Sequence, residues 1–254
     1  MELIETLSAS KRVLRGVLFA CRNPGKARFL CPVCSYAGPF RDLQAGTGYR
    51  ENAECPRCGA LERHRLQYLV LQRLFGGKEF GAPRVLHFAP EGFFRRFFAE
   101  IAESYETADF VVSSVTHKVD IQDMPFADES HDLIFASHVL EHVRDDIRAL
   151  KEIRRILRPG GVAILPVPVV AEATVEYPNP NPYESNHWRA PGFDYFDRYR
   201  RVFDKVALYD SRAFPEHHQL FVYEDRSHWP SRECPLRPSM KGDRHLEIVP
   251  LCYR

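Results

Sequence analysis

"VLHFAPEGFF", residues 85–94, reads as a strand running directly into a turn and a helix. A short apolar run bounded by turn residues fits a strand covered on both faces. Ala89, Pro90 and Glu91 then punctuate the chain, and "GFFRRFFAEIAES" after them has helical spacing. The turn is poor in glycine, whereas a loop that brings backbone against a pyrophosphate uses several. Working outward, the alternation continues with strand "YETADFVV", short strand "HKVDI", strand "HDLIFAS", helix "DDIRALKEIRRIL" and strand "GVAILPV". Strands alternating with helices predict an α/β domain whose parallel sheet carries helices on both faces. Ligands of such sheets bind beyond the carboxyl ends of the strands near the topological switch, where residues 87–92 fall.

Composition narrows the function classes. The chain has 254 residues and 44% hydrophobic residues, enough for a real core. Its 35 basic and 34 acidic residues leave a formal net charge of +1, so no global field draws nucleic acid or an anionic membrane. There is no run of about 18 apolar residues and no signal-peptide pattern at the start, so a soluble cytoplasmic protein with no membrane partner is expected.

The seven cysteines are unevenly spread. Cys31 and Cys34 form "CPVC", and Cys55 and Cys58 form "CPRC". Two C-x2-C pairs at this separation match a zinc ribbon, because each knuckle presents two thiolates to one tetrahedral ion. Four thiolates leave no open position for water or substrate, so the zinc is expected to be structural. Arg41, Arg50, Arg57, Arg63 and Arg65 surround the ribbon, but Asp42, Glu51, Glu54 and Glu62 intersperse them. A solvated mixed surface follows, with nucleic-acid or protein contact through the ribbon left open. Beyond the knuckles, "ALERHRLQYLVLQRLF" is a helix ended by Gly76 and Gly77.

Four segments result: an N-terminal helical stretch 1–26, the ribbon 27–60, the α/β domain 61–226 and a C-terminal tail 227–254 without clear element pattern. Within the domain, the proline-, asparagine- and aromatic-rich stretch at about 170–200 reads as a lid, followed by a helix near 194–203.

The ordered motifs "VLHFAPEG", "YETAD", "DIQDMPFADESHDLIFASHVLEHV" and "RRILRPGGVAIL" resemble the class I S-adenosylmethionine-dependent methyltransferases, specifically their type 11 branch. The resemblance covers residues 84–226 and implies a Rossmann-like sheet preceded by the ribbon module, with S-adenosylmethionine as cofactor. The family's first loop has an acid at the position of His87 and glycines near Ala89 and Glu91, so this chain departs at three places. His87, Ala89 and Glu91 are expected to form a rebuilt loop, with Glu91 pairing the cofactor's ammonium or serving only as a helix N-terminal charge. Asp109, at the end of the second strand, is expected to accept from the ribose hydroxyls. Asp120 fits the acid that accepts from the adenine amino group, with the Ile121 backbone at the ring edge.

In "SHVLEHV", His138 and His142 stand four apart and would share one helix face, yet no third metal ligand is marked. Ser137 and His138 are expected beside the cofactor, while Glu141 and His142 brace the next turn. His187, Trp188, Arg189 and Tyr195 bring a base, a stacking surface and an anion-binding fork to the lid. The implied activity is methyl transfer to a small molecule or modified biosynthetic intermediate by displacement at the sulfonium, with His138 or His187 as base where the acceptor carries a proton. Two other readings stand beside it: a non-catalytic binding protein with a degenerate methyltransferase fold, and an enzyme transferring a group other than methyl.

Overall fold

The computed structural model describes residues 2–45, 48–76, 81–226 and 234–254. These form two compact units: residues 2–72, 210–226 and 238–247 in one, and 73–209, 234–237 and 248–254 in the other.

The first unit opens with helix α1 (Glu2–Arg22) and continues into two small hairpins, β1 (Phe29–Leu30) with β2 (Ala37–Gly38) and β3 (Arg41–Ala45) with β4 (Gly48–Glu54). Both cysteine pairs sit in turns of one design. The Cys31 amide donates to Tyr36 O at 2.9 Å and the Ser35 amide to Cys31 O at 2.9 Å; the Cys55 amide donates to Ala60 O at 3.0 Å and the Gly59 amide to Cys55 O at 2.8 Å. Each turn closes on a left-handed residue, Ser35 at φ 57° and Gly59 at φ 82°.

Helix α2 (Glu62–Phe75) follows. Its Arg65 is fully buried and donates to the carbonyls of Ala53 at 2.9 Å, Ala60 at 2.7 Å and Gln219 at 3.0 Å, with its guanidinium 4.6 Å from the centre of the Phe40 ring. Arg65 is therefore an internal clamp of the ribbon and contributes nothing to a basic surface. Arg50 is committed as well, to Glu62 at 2.8 Å.

The second unit is built on β5 (Arg84–Phe88), α3 (Gly92–Ile101), β6 (Ser104–Asp109), β7 (His117–Lys118), β8 (His131–Ala136), α4 (Asp146–Ile156) and β9 (Leu157–Ile164). The lid region folds as the hairpin β10 (Val175–Asn181) and β11 (His187–Ala190), then helix α5 (Phe196–Arg200) and strand β12 (Lys205–Asp210). The chain returns to the first unit through β13 (Phe221–Val222), β14 (Glu224–Asp225) and β15 (His245–Leu246), where β14 pairs with β4 and β13 with β15. It ends in β16 (Ile248–Tyr253).

The main sheet has seven strands in the order β12-β16-β9-β8-β5-β6-β7. The β5–β6, β5–β8, β6–β7 and β8–β9 pairs are parallel, and β16 runs antiparallel to β9. The sheet is mixed, not purely parallel. Helix α3 buries Phe94 and Phe98, one turn apart, and α4 buries Ala149, Leu150, Ile153 and Ile156. Asp145 caps α4 by accepting from the Arg148 amide at 2.9 Å, and Arg154 and Arg155 lie in its last turn, where the helix dipole favours cations.

Three expectations are corrected. The units interleave, so divisions at 60/61 and 226/227 do not describe the molecule; the strand pairings that cause this join residues far apart in sequence. The tail is not patternless, since β16 lies inside the sheet with Ile248 to Cys252 buried. Pro250 hides it, because proline within a run argues against an interior strand. Residues 227–233 of the expected tail, and Gly77 of the expected helix stop, lie outside the described residues. Finally, β6 ends at Asp109: its Oδ1 accepts from the Val111 and Val112 amides at 2.7 and 2.8 Å, turning the chain and leaving Phe110 and Val111 exposed.

Candidate active site

At the carboxyl ends of the central strands the second unit holds a cavity of about 640 Å³, a size suited to a small-molecule cofactor. β5 contributes Phe88 and Ala89, β6 contributes Asp109, and the following loops contribute Asp120, Ile121, His138 and His142. Phe88, Val119, Ile121, Val139 and Val143 make its walls largely apolar. The β10–β11 segment adds Asn186 and Trp188.

Ala89 shows how the glycine-poor turn works. Its φ of 46° lies in the left-handed region, and its amide donates to Ala108 O at 2.9 Å. A methyl group is tolerated here, where the methyltransferases it resembles carry glycine, at a strain of roughly 1 kcal/mol. His138 is also left-handed, at φ 54°, with its amide donating to Pro166 O at 2.9 Å. A non-glycine residue held in this region beside a cavity marks a place where the surroundings enforce an unfavourable backbone.

The two aspartates are held differently. Asp109 Oδ1 is occupied by the two backbone amides, and Oδ2 makes no hydrogen bond among the described residues. Asp120 accepts from the Gln122 amide at 2.9 Å and from Gln122 Nε2 at 3.0 and 3.1 Å on its two oxygens. A carboxylate has about four lone-pair sites, so one acceptor position on Asp120 stays available.

Other expected site residues lie elsewhere. His87 does not line the cavity: it is fully buried, hydrogen-bonded through Nδ1 to Tyr105 Oη at 2.9 Å and packed edge-on against Phe98 and Phe135 at 5.2 and 5.1 Å. Burial pushes its pKa down to about 3, with the Glu91 charge acting in the opposite direction. His87 is thus a neutral core residue beneath the loop. Glu91 occupies the N-cap position of α3 without a side-chain capping bond and is absent from the cavity lining, as is Ser137, which is buried.

His187 also stands outside the lining, because side chains alternate along a strand and its neighbour Trp188 takes the cavity face. Arg189 is buried and spent on structure: Nη1 donates to the carbonyls of Leu140 at 2.8 Å and Val143 at 2.7 Å, Nη2 to Arg144 O at 2.9 Å and Nε to Glu176 at 3.1 Å. It is no anion-binding fork. Tyr195 is buried with its hydroxyl donating to Asp146 at 2.7 Å. The arginine that lines the cavity is Arg144, 5.4 Å from the Trp188 ring centre.

Leu140–His142 forms a single 3-10 turn. Glu141 is buried with His138 Nδ1 3.5 Å from Oε1, too long for a hydrogen bond. Burial alone would raise its carboxyl, but the imidazoles of His138, His187 and His142 hold it below the usual range. Burial lowers the pKa of His142, against the pull of Glu141. The rings of His142 and His187 stand edge-to-face with centres 4.5 Å apart. This meeting was not legible in "SHVLEHV", because its third member comes from the lid 45 residues onward.

In the ribbon, Cys31 and Cys58 Sγ are 3.7 Å apart and Cys34 and Cys55 Sγ 3.6 Å, with all four sulfurs within 4.8 Å of one another. Tetrahedral zinc with bonds of about 2.3 Å needs sulfur separations of about 3.8 Å, so the set fits that ion. No cysteine is in a disulfide.

The sheet order and the cavity at its carboxyl edge define a Rossmann-like class I methyltransferase fold. Residues 95–165 match the family model described as "Methyltransferase domain". The chain is similar to an uncharacterized methyltransferase of Mycobacterium sp. (strain KMS), 50% identical over 42 residues, which are 16% of this chain and 17% of that protein. An uncharacterized 37.1 kDa protein in transposon TN4556 of Streptomyces fradiae is 42% identical over 60 residues, 24% of this chain and 17% of that protein. The chain thus spans only a small part of the curated relatives it matches. Among solved structures, the [4+2]-cyclase SpnF superposes with a TM-score of 0.50 at 17% identity, over 85% of this chain and 89% of that one. The shared fold therefore does not specify the reaction. Among the described residues, no helix is long and apolar enough to cross a membrane.

Proposed function

We propose that the chain binds S-adenosylmethionine in the 640 Å³ cavity and methylates a small-molecule acceptor. The observation that carries this reading is the convergence of Ala89, Asp109, Asp120, Ile121 and His138 on one cavity at the carboxyl ends of adjacent strands. Asp109 accepts from the ribose hydroxyls through its uncommitted oxygen, Asp120 accepts from the adenine amino group, and Ile121 flanks the ring. The Ala89 turn suits a ligand with no phosphate to cradle. S-adenosylmethionine supplies a methyl group on a sulfonium whose departing thioether needs no protonation. The protein's work is then alignment and exclusion of water by the apolar walls and the Trp188 segment. For a protonated acceptor, His138 is the base, since it lines the cavity and His187 does not. The four cysteines hold a structural zinc.

Calorimetry tests the cofactor assignment. A hydrogen bond to a charged acceptor contributes about 1.5–3 kcal/mol, so Asp109→Ala is expected to weaken S-adenosylmethionine by roughly tenfold to a hundredfold. Unchanged affinity refutes the assignment; no binding by the unaltered chain favours a non-catalytic protein. Product mass separates methyl transfer from transfer of another group.

A further inference from the structure

Glu141 and His142 share one 3-10 turn, and His187 reaches the same point from β11. One carboxylate oxygen and one nitrogen from each imidazole lie within 4.8 Å of one another. Two observations show that this group is unfinished. The Glu141 side chain is 1% exposed, yet neither of its oxygens accepts a hydrogen bond; His187 Nδ1 is buried and likewise without a hydrogen-bond partner. Its nearest acid, Glu184, is 3.9 Å away. His138 Nδ1 stands 3.5 Å from Glu141 Oε1, beyond hydrogen-bond range, and a buried carboxylate that lacks hydrogen-bond donors is expensive, since buried charges are as a rule paired or bound to metal.

The scaffold around the group is rigid where a site requires it. Arg189, two residues after His187, donates to the carbonyls of Leu140, Val143 and Arg144, so the strand that supplies one imidazole clamps the turn that supplies the other two groups. Metal sites depend on such support, because their ligands must be held before the ion arrives. His142, the exposed member, also lines the cavity, which gives an ion a path of entry.

We infer that Glu141, His142 and His187 form a mononuclear site for a divalent transition metal at the edge of the cavity, separate from the four-cysteine site. Two imidazoles and one carboxylate suit zinc, cobalt or ferrous iron, and are poorly matched to calcium or magnesium, which prefer all-oxygen sets. Bonds of about 2.0–2.2 Å bring ligand atoms closer together than 4.8 Å, so binding draws the three side chains inward. The site does not depend on the cofactor reading; it stands on these three residues alone.

The test uses untagged, full-length protein whose cysteine site is filled with zinc and whose weakly held metal has been removed. Titration with Co(II), followed by visible absorption and by elemental analysis after gel filtration, is expected to show one further equivalent. Its spectrum should be that of nitrogen and oxygen ligands without thiolate charge-transfer bands. Loss of a supporting partner alone costs about 10- to 100-fold in metal affinity, so His142→Ala and His187→Ala should each weaken this equivalent by more than about a hundredfold while the cysteine-bound zinc stays in place. His142 is exposed, so His142→Ala folds even where Glu141→Gln does not. Absence of a further equivalent up to about 100 µM Co(II), a concentration corresponding to weak binding, overturns the site. So does an equivalent that persists undiminished in both histidine variants.

Discussion

Replacing His87 by phenylalanine tests whether the residue at the family's acidic loop position is core or ligand contact. The wild-type imidazole is buried among Phe94, Phe98 and Phe135 with its pKa lowered to about 3. In the unfolded chain it titrates near 6.5. Below pH 6.5 the unfolded state therefore binds a proton that the folded state refuses, so this contribution to stability is complete above 6.5 and falls as pH drops toward 3. Each pH unit in that window costs about 1.4 kcal/mol, so lowering the pH from 6.5 to 5.0 removes about 2 kcal/mol. His87→Phe keeps an aromatic ring, a somewhat larger one, loses the hydrogen bond to Tyr105 and removes the proton site, so the pH dependence and not the absolute stability is compared. Urea denaturation at several pH values should give a shallower loss for the variant, by about 2 kcal/mol at pH 5.0 relative to wild type. His131, His142 and His218 also titrate low on account of burial, but they are common to both proteins and cancel in the difference. Parallel slopes refute the buried, neutral assignment. Because His87 does not line the cavity, S-adenosylmethionine affinity at pH 8 should change by less than about threefold, or ~0.6 kcal/mol; a tenfold loss contradicts its place beneath the loop.

Two further outcomes are expected. Stripping the protein of zinc, or replacing Cys31 or Cys58 by serine, should lower the melting temperature measured by calorimetry, because the free energy of binding a structural zinc is largely folding free energy; an unchanged transition after verified removal refutes the structural role. Ala89→Gly should stabilise the protein by up to about 1 kcal/mol, since glycine takes φ 46° without a Cβ clash, and Ala89→Val should destabilise it by more than that; equal stabilities in denaturant titrations mean that the turn is unstrained.

The sheet was legible because its strands are buried on both faces. Val85 to Phe88 and Leu133 to Ala136 are runs that few other elements accommodate, and helices with one-turn spacing such as Phe94 and Phe98 separate them. The meeting of the four cysteines was legible because a tetrahedral metal site requires ligand type and spacing together. Pairings decided by distant partners were hidden: β14 completes an edge of the ribbon hairpin from some 170 residues away, and β16 enters the sheet despite Pro250. That Asp109 and Asp120 lie on the cavity was legible because each follows a recognisable strand or motif. His87 and His187 were misplaced for one reason. A residue's number along a strand gives its position but not its face, and the face is set by what packs there: Phe94 and Phe98 for one, His142 for the other.

Arg189 shows how this limit bears on function. An arginine beside tryptophan and histidine in a polar loop has the composition of an anion site, but its guanidinium donates to three carbonyls of the segment that follows His138. Buried carbonyls need donors as much as buried charges need partners, and a planar fork of five N–H groups satisfies several at once. The fork thereby fixes the backbone that carries His138, Glu141, His142 and Arg144, three of which line the cavity. Arg144 and Trp188 line the cavity on the two segments that this buried clamp joins. On the function proposed above, selectivity for an acceptor would reside in the side chains displayed by residues 139–144 and 186–188, and the precision with which they are displayed in Arg189.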